Sequence, residues 1–128
     1  MRKLTILLVD DDVDFVETHK LLLEKHDYNI EIAYNGSECL KILSDELRPD
    51  LIILDVIMSA PNEGFEVARK LKGDDDTKEI PIIMLTSVGE GFTFKYKPDE
   101  TWVPVDVFLE KPVPPDQLLI EIRKAIEL

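Results

Sequence analysis

The sequence contains one cysteine, Cys39, among its 128 residues. A single thiol cannot form a disulfide within the chain, and such sparse use of cysteine is typical of the reducing cytoplasm. The sequence also lacks an apolar run near the roughly 20 residues of a membrane-spanning helix. Met1-Arg2-Lys3 leads directly into an apolar segment instead of a signal sequence. These absences predict a cytoplasmic protein with no membrane partner.

Basic residues are also scarce, because 15 Lys and Arg stand against 27 Asp and Glu and give a net charge of −12. A chain of this charge is repelled by nucleic acid and by anionic lipid, so we expect neither as a direct partner. Hydrophobic residues make up 45% of the chain, which is typical of a globular protein and too many for a disordered one. The length fits one domain, which we expect to span residues 1–128.

Short apolar runs alternate with amphipathic segments along the chain. Buried parallel strands are typically short and rich in Ile, Val and Leu. The predicted strands are Leu4–Val9, residues 30–34, Leu51–Leu54, Pro81–Leu85 and Val105–Leu109. Helices are predicted over about Asp14–Lys25, after Ser37 as N-cap through Leu43, around Phe65–Leu71, and after Pro114-Pro115-Asp116. This alternation predicts an α/β fold with a parallel sheet.

The segment 87–104 breaks this rhythm, since a helix belongs between the last two strands. Two glycines and two prolines interrupt it, and Phe92–Lys97 alternates with the period of an extended chain. We expect a long loop or short extended arm that shortens or replaces the fourth helix. Its aromatic residues form a candidate surface for a partner protein or a homodimer. These residues are Phe92, Phe94, Tyr96 and Trp102.

Polar side chains follow four of the predicted strands at the point where each strand ends. Asp10 and Asp11 follow the first strand, Asp55 the third, Thr86 the fourth and Lys111 the fifth. In an open α/β sheet these positions line the ligand crevice, so we expect the side chains to lie close together. Carboxylate oxygens favour a hard cation, Mg²⁺ above all, and one carboxylate could then act as a nucleophile toward phosphorus. Lys111 could neutralise a phosphoryl oxygen, and the Thr86 hydroxyl could donate to another.

Taken singly, each of these features has an ordinary structural explanation. Acidic runs are commonly solvated, threonine is common at strand ends, and Lys-Pro is a frequent pair. His19, on the apolar face of the first helix, is interpreted as a packed residue rather than a metal ligand. The functional interpretation rests on the order of all four features, each at a strand end.

In this order the motifs resemble the receiver domain of two-component response regulators, over essentially the whole chain. They are Leu8-Val9-Asp10-Asp11-Asp12, Pro49-Asp50-Leu51-Ile52-Ile53-Leu54-Asp55, Leu85-Thr86-Ser87 and Leu109-Glu110-Lys111-Pro112. The resemblance implies a flavodoxin-like, doubly wound five-stranded parallel sheet of strand order 2-1-3-4-5. It makes residues 1–128 one response regulator receiver domain.

The resemblance also implies the chemistry of the site. Asp55 would accept a phosphoryl group from a sensor histidine kinase or a phosphotransfer protein, in a reaction that needs Mg²⁺. The metal would be held by Asp10, Asp11, Asp55 and the backbone carbonyl of Ile57, with Asp10 contributing through water. The chain would not be an enzyme toward a separate substrate, because its expected chemistry is its own phosphorylation and dephosphorylation.

Thr86 and Lys111 would bind the phosphoryl group, by the same resemblance. Phe108, three residues before Lys111, falls at the family's switch aromatic. There the Thr86 hydroxyl would move toward the phosphoryl group and the ring of Phe108 would follow inward, a two-state change driven by local charge. A downstream protein effector or a homodimer would then read the change.

The chain departs from the family pattern after the acceptor. Met58 is in place, but Ser59-Ala60 delays the expected proline to Pro61, and Gly64 comes about one residue late. The loop over the site is therefore expected to be longer than usual. The altered segment 87–104 falls on the family's usual signalling face, so output through that face is left open.

Two other functions remain as alternatives. A haloacid-dehalogenase-like phosphatase would use Asp10 as nucleophile, and Asp10-x-Asp12 superficially fits, although Asp14 stands where that family has Thr or Val. A pseudo-receiver would bind partners without being phosphorylated. The sequence also leaves open the cognate kinase and whether the domain stands alone or belongs to a larger regulator.

Overall fold

The computed structural model describes residues 3–44, 48–55, 63–87, 106–111 and 113–126. Strands and helices alternate along these residues. The strands are β1 (Thr5–Val9), β2 (Asn29–Ala33), β3 (Leu51–Asp55), β4 (Ile82–Ser87) and β5 (Val107–Lys111). The helices are α1 (Val13–Lys25), α2 (Gly36–Ser44), α3 (Glu63–Lys72) and α4 (Pro115–Ile126). Among the described residues, no helix has the length and apolar character needed to cross a membrane.

The five strands form one sheet of order β2-β1-β3-β4-β5, and every neighbouring pair is parallel. β3 lies at the centre and is buried along its whole length. The predicted flavodoxin-like, doubly wound parallel sheet is therefore confirmed. The predicted loss or shortening of a fourth helix concerns residues 88–105, which lie outside the described residues.

Apolar side chains of successive strand residues point to opposite faces of the sheet and build two cores. Leu7 and Val9 of β1 pack with α2 and α3 on one face. Ile6 and Leu8 pack with α1 and α4 on the other. The predicted apolar stripe of α3 is buried as expected, at Phe65, Val67, Ala68 and Leu71. Strands buried on both faces explain the near-continuous apolar runs in the sequence.

The prediction of Ser37 as the N-cap of the second helix is wrong. α2 begins at Gly36, and the side chain of Asn35 accepts a hydrogen bond from the Glu38 amide at 2.9 Å. Asn35 therefore satisfies the amide that a cap residue must satisfy, and Ser37 lies within the first turn. The amide of Gly36 donates to a carboxylate oxygen of Glu63, the first residue of α3. This bond joins the beginnings of the two helices.

At their carboxyl ends, β4 and β5 continue two residues beyond the ends that the sequence predicts. The ladder continues through the pairs Thr86–Glu110 and Ser87–Lys111, because both strands keep the parallel register to that point. Thr86 and Lys111 therefore lie within the last residues of their strands instead of beyond them. Asp55 likewise is the final residue of β3.

Two carboxylates mark the opposite edge of the sheet, where the strands begin. Asp50 precedes β3 and accepts a hydrogen bond from the amide of Thr5, the first residue of β1, at 2.8 Å. Asp106 precedes β5 and accepts from the amide of Ile82, the first residue of β4, at 2.8 Å. The ammonium of Lys72 lies 3.3 Å from the same oxygen of Asp106. Each carboxylate thus satisfies a neighbouring strand's first amide.

Candidate functional site

Three carboxylates meet at the carboxyl edge of the sheet. Asp10 follows β1 directly, Asp11 comes next, and Asp55 ends β3, which pairs with β1. Each offers an oxygen atom, and these atoms lie within 4.8 Å of one another. Asp10 and Asp55 are 1% and 5% exposed, whereas Asp11 is exposed. Adjacent parallel strands therefore bring together the acidic residues that the sequence analysis selected.

Lys111 brings positive charge to this cluster from the end of β5. Its ammonium lies 2.7 Å from Oδ2 of Asp10 and 3.5 Å from Oδ1 of Asp55. The Lys111 side chain is 17% exposed, so both ion pairs are largely buried away from water. A single ammonium thus faces two buried carboxylates, and Asp11 adds a third negative charge beside them.

This excess of negative charge alters the acid–base behaviour of the site. Burial and, after it, the negative charge of Asp10 raise the pKa of Asp55 to about 7, against the opposing effect of Lys111. Burial alone would lower the pKa of Lys111, but its hydrogen bonds and charge interactions with Asp10 and Asp55 together outweigh burial and raise it. Near neutral pH, both protonation states of the Asp55 carboxyl are therefore populated when no cation is bound.

The carboxylate of Asp10 is fixed through both of its oxygens. Oδ1 accepts a hydrogen bond from the Asp12 amide at 3.0 Å, while Oδ2 accepts from Lys111. Asp12 in turn is the N-cap of α1, and its side chain accepts from the Phe15 amide at 3.1 Å. These hydrogen bonds connect the first turn of α1 to the buried carboxylate of Asp10.

Thr86 and Phe108 lie on the same face of the sheet, on adjacent strands. Met84 and Phe108 are directly paired and pack with the α2–α3 core, and Thr86 is two residues beyond Met84, so strand alternation puts it on that face. Thr86 is buried at 8% exposure. The partly buried ring of Phe108 meets Phe65 of α3 edge to face, with ring centroids 6.5 Å apart.

Phe15 is a site residue that the sequence analysis missed. The Lys111 ammonium lies over its ring, 4.3 Å from the centroid. The sequence places Phe15 on the apolar face of α1, where nothing distinguishes it from a core residue. His19, interpreted as a packed residue, is stacked on the same ring.

Two other predictions cannot be placed. Ile57, whose backbone carbonyl is an expected metal ligand, lies outside the described residues. The same is true of the aromatic residues in the segment 88–105.

The donor set at the carboxyl edge fits a hard divalent cation. All three groups offer carboxylate oxygens, the atoms that Mg²⁺ and Ca²⁺ prefer. Burial and, after it, neighbouring negative charge raise the pKa of Asp55, and a bound cation would offset that negative charge. Asp10, Asp11 and Asp55 are therefore the residues that could hold such an ion.

Comparison with known proteins identifies a family for this arrangement. Residues 6–123 match the family model described as the response regulator receiver domain. The phosphate regulon transcriptional regulatory protein PhoB of Pseudomonas aeruginosa is 35% identical over 95% of this chain. Histidine kinase P4 of Formosa agariphila is 38% identical over 98% of it. The chain spans 51% of the first relative and 9% of the second.

Solved structures show the same architecture. A putative response regulator from Chloroflexus aurantiacus superposes with a TM-score of 0.85 at 28% identity, covering 99% of this chain and all of that one. The chemotaxis response regulator CheY4 of Vibrio cholerae gives a TM-score of 0.79 at 26% identity, covering 97% of this chain and 99% of its own. The five parallel strands have the order β2-β1-β3-β4-β5, and the match to the family model covers most of the chain. The chain therefore belongs to the response regulator receiver domains, a family of signalling domains.

Proposed function

We propose that this chain is a phosphoacceptor switch of a two-component phosphorelay, with Asp55 as the acceptor. The observation that carries the proposal is the position of Asp55, which is buried at the end of the central strand, beside Asp10 and within reach of Lys111. A carboxylate in that position has a cation to steady the incoming phosphoryl group. The phosphoryl donor would be a sensor histidine kinase or a phosphotransfer protein.

In the reaction, a carboxylate oxygen of Asp55 attacks phosphorus while the bond from phosphorus to the donor's leaving group breaks. The product is an aspartyl phosphate, and the leaving group departs with the bonding electron pair. Attack needs the ionised carboxylate, and Lys111 lowers the pKa of Asp55 against the effects of burial and Asp10. When bound at the three carboxylates, Mg²⁺ supplies positive charge that offsets their repulsion of the phosphoryl group.

Lys111 would change partners during this reaction. Its ammonium is held by Asp10 at 2.7 Å and lies 3.5 Å from Asp55. A small displacement toward Asp55 would let it neutralise an oxygen of the new phosphoryl group. Thr86, on the neighbouring strand, would donate its hydroxyl proton in a hydrogen bond to another oxygen.

The movement of Thr86 would be transmitted to Phe108. Both residues lie on the face of the sheet that α3 covers, and the Phe108 ring is partly buried against Phe65. Inward rotation of that ring would alter the surface beside β5, where a downstream protein or a second copy of the chain could bind. Phosphorylation and its reversal are the chemistry we assign to the domain, and we place it in the cytoplasm.

Intact-mass measurement tests the proposal most directly. The wild type and Asp55→Ala would be incubated with acetyl phosphate, with and without Mg²⁺. We expect the wild type to gain one phosphoryl group only with Mg²⁺, and Asp55→Ala to gain none. A folded wild type that gains nothing would favour a pseudo-receiver, whereas a gain retained in Asp55→Ala would direct attention to Asp10.

A further inference from the structure

We propose that Phe15 is a positioning residue for Lys111, holding the ammonium between Asp10 and the acceptor Asp55 through the face of its ring. The inference rests on the proposed function of Lys111 in phosphoryl binding. In this role, a residue of α1 positions the lysine at the end of β5. Phe15 itself touches neither the acceptor nor the phosphoryl group in this role.

The geometry of the ring carries the proposal. The nitrogen of Lys111 lies 4.3 Å from the Phe15 centroid, well inside the distance of about 6 Å at which an ammonium is attracted to an aromatic face. The Lys111 side chain is 17% exposed, and partial removal from water strengthens this attraction. Asp10 draws the same ammonium from one side at 2.7 Å, so the ring and the carboxylate together define its place.

His19 covers the ring of Phe15 and limits its movement. The two ring centroids are 3.9 Å apart and the planes differ by 22°, which is a stacked arrangement. An imidazole so close to one face leaves the other face for the ammonium. Nδ1 of His19 lies 2.8 Å from the Phe15 carbonyl oxygen, which can only accept, so Nδ1 carries the donated proton in this arrangement.

The backbone of Phe15 is held as firmly as its ring. Its amide donates to the N-cap side chain of Asp12, and the Asp12 amide donates to Oδ1 of Asp10. Oδ2 of Asp10 accepts from Lys111, whose ammonium lies over Phe15. These contacts form a closed circuit of four residues, in which the helix start, the buried acid and the lysine fix one another. An aliphatic side chain at position 15 could fill the space, but it offers no negative face to an ammonium.

This role differs from ordinary packing in what it requires of residue 15. Packing against the α1–α4 core depends on apolar area, which leucine supplies nearly as well as phenylalanine. Holding an ammonium depends on the aromatic ring, which tyrosine retains and leucine lacks. Phe15→Leu and Phe15→Tyr therefore separate the two roles.

The first measurement is the rate at which acetyl phosphate phosphorylates Asp55 in the presence of Mg²⁺. We expect Phe15→Leu to react about 3- to 20-fold more slowly than the wild type, from the range of ammonium–aromatic attraction. Phe15→Tyr should restore a rate within about 2-fold of the wild type. Leu23→Val is the matched control, because Leu23 is fully buried in the same helix, about 12 Å further along its axis. It should lower stability and leave the rate unchanged.

The second measurement does not depend on phosphorylation. Protons above an aromatic ring are shifted upfield, so the ε-methylene signal of Lys111 should move downfield in Phe15→Leu and stay in place in Phe15→Tyr and Leu23→Val. Wild-type rates in Phe15→Leu, or a Lys111 signal that this variant does not move, would overturn the inference. A wild type that gains no phosphoryl group would instead contradict the proposed function, and the Lys111 signal would still decide whether Phe15 holds the ammonium.

Discussion

The ammonium of Lys111 lies 2.7 Å from Oδ2 of Asp10, closer than its 3.5 Å approach to Asp55. Asp10 is 1% exposed, so this pair gives a buried carboxylate the positive charge that its other hydrogen bond, from the Asp12 amide, does not supply. Without a bound cation, Lys111 therefore pairs more closely with Asp10 than with Asp55.

Replacing Lys111 should destabilise the fold in the absence of divalent ions. We expect Lys111→Met to lower the free energy of unfolding by about 2–3 kcal/mol, because two buried carboxylates lose a charged hydrogen-bond donor. Urea unfolding in the presence of a chelator measures this change. Lys124→Met is the control, since the exposed Lys124 lies 4.0 Å from Glu121 and such pairs contribute little. Equal effects of the two substitutions would contradict the expected role of Lys111.

The raised pKa of Asp55 predicts how stability depends on pH. Its carboxyl group has a pKa of about 7 in the folded protein and 3.8 as the ordinary value, so the folded state binds more protons between these limits. Stability that is present at low pH is thus lost as pH rises through this window. We expect metal-free wild type to lose about 2–3 kcal/mol of unfolding free energy from pH 5 to pH 8, relative to Asp55→Asn. Urea titrations at the two pH values compare the variants, and parallel pH profiles would refute the prediction.

Removing one carboxylate from the cluster should weaken cation binding. Asp11→Asn is expected to lower the affinity for Mg²⁺ at least about 10-fold, because the neutral amide keeps an oxygen but loses the charge. Asp14→Asn is the control, since Asp14 is an exposed acid in the first turn of α1 and lies outside the cluster. Calorimetric titration of the three proteins measures the difference. Equal losses in both variants would indicate a general effect of net charge instead of a defined site.

The proposed link from Thr86 to Phe108 can be separated from phosphorylation itself. We expect Thr86→Ala to accept the phosphoryl group but to lose the change in the Phe108 ring signals that accompanies phosphorylation of the wild type. NMR of labelled phenylalanine rings measures this response. Thr77→Ala is the control, because Thr77 is a second buried threonine whose hydroxyl donates to the Leu71 carbonyl in the α3–β4 connection. A Phe108 response that survives in Thr86→Ala would rule out the link.

The close approach of α2 and α3 makes Gly36 sensitive to any side chain. A Cβ atom there would lie 2.7 Å from Cγ2 of Val67 and 2.9 Å from a carboxylate oxygen of Glu63. We expect Gly36→Ala to cost about 1–3 kcal/mol of unfolding free energy through this overpacking. In Gly73→Ala the nearest contact is 3.2 Å, to the Arg69 carbonyl, so its loss should be smaller. Thermal unfolding of the two variants ranks the effects, and a harmless Gly36→Ala would argue against tight helix contact.

The sequence predicts much of the fold because β strands buried on both faces leave a clear pattern. Leu51–Leu54 and Ile82–Leu85 are continuous apolar runs, and the structure pairs them in the centre of the sheet. The ends of helices are harder to predict from the sequence, as the wrong prediction of Ser37 as N-cap illustrates. Serine and asparagine both suit a cap, and the contact between the Asn35 side chain and the Glu38 amide decides between them.

The candidate site likewise contains features that the sequence predicts and one contact that only the structure shows. Residues at strand ends could be selected because the parallel topology brings those ends to one edge, which explains the grouping of Asp10, Asp11 and Asp55. The contact of Phe15 with Lys111 could not be foreseen, because an aromatic residue on the apolar face of a helix looks like any core residue. The grouping of the side chains is observed, whereas the roles of all the site residues stay predictions: Asp10, Asp11, Asp55, Ile57, Thr86, Phe108 and Lys111.

The carboxylates of Asp50 and Asp106, which lie where the strands begin, affect the opposite edge of the sheet, where the strands end. Apolar strands of similar composition could slide past one another by two residues and still bury the same faces. Such slippage would separate the Asp50 side chain from the Thr5 amide, and the Asp106 side chain from the Ile82 amide, leaving polar groups unsatisfied. These bonds therefore penalise misaligned sheets during folding. Because a slip would also displace Asp55 from Asp10, the alignment of the three carboxylates at one end of the strands depends on hydrogen bonds at the other end.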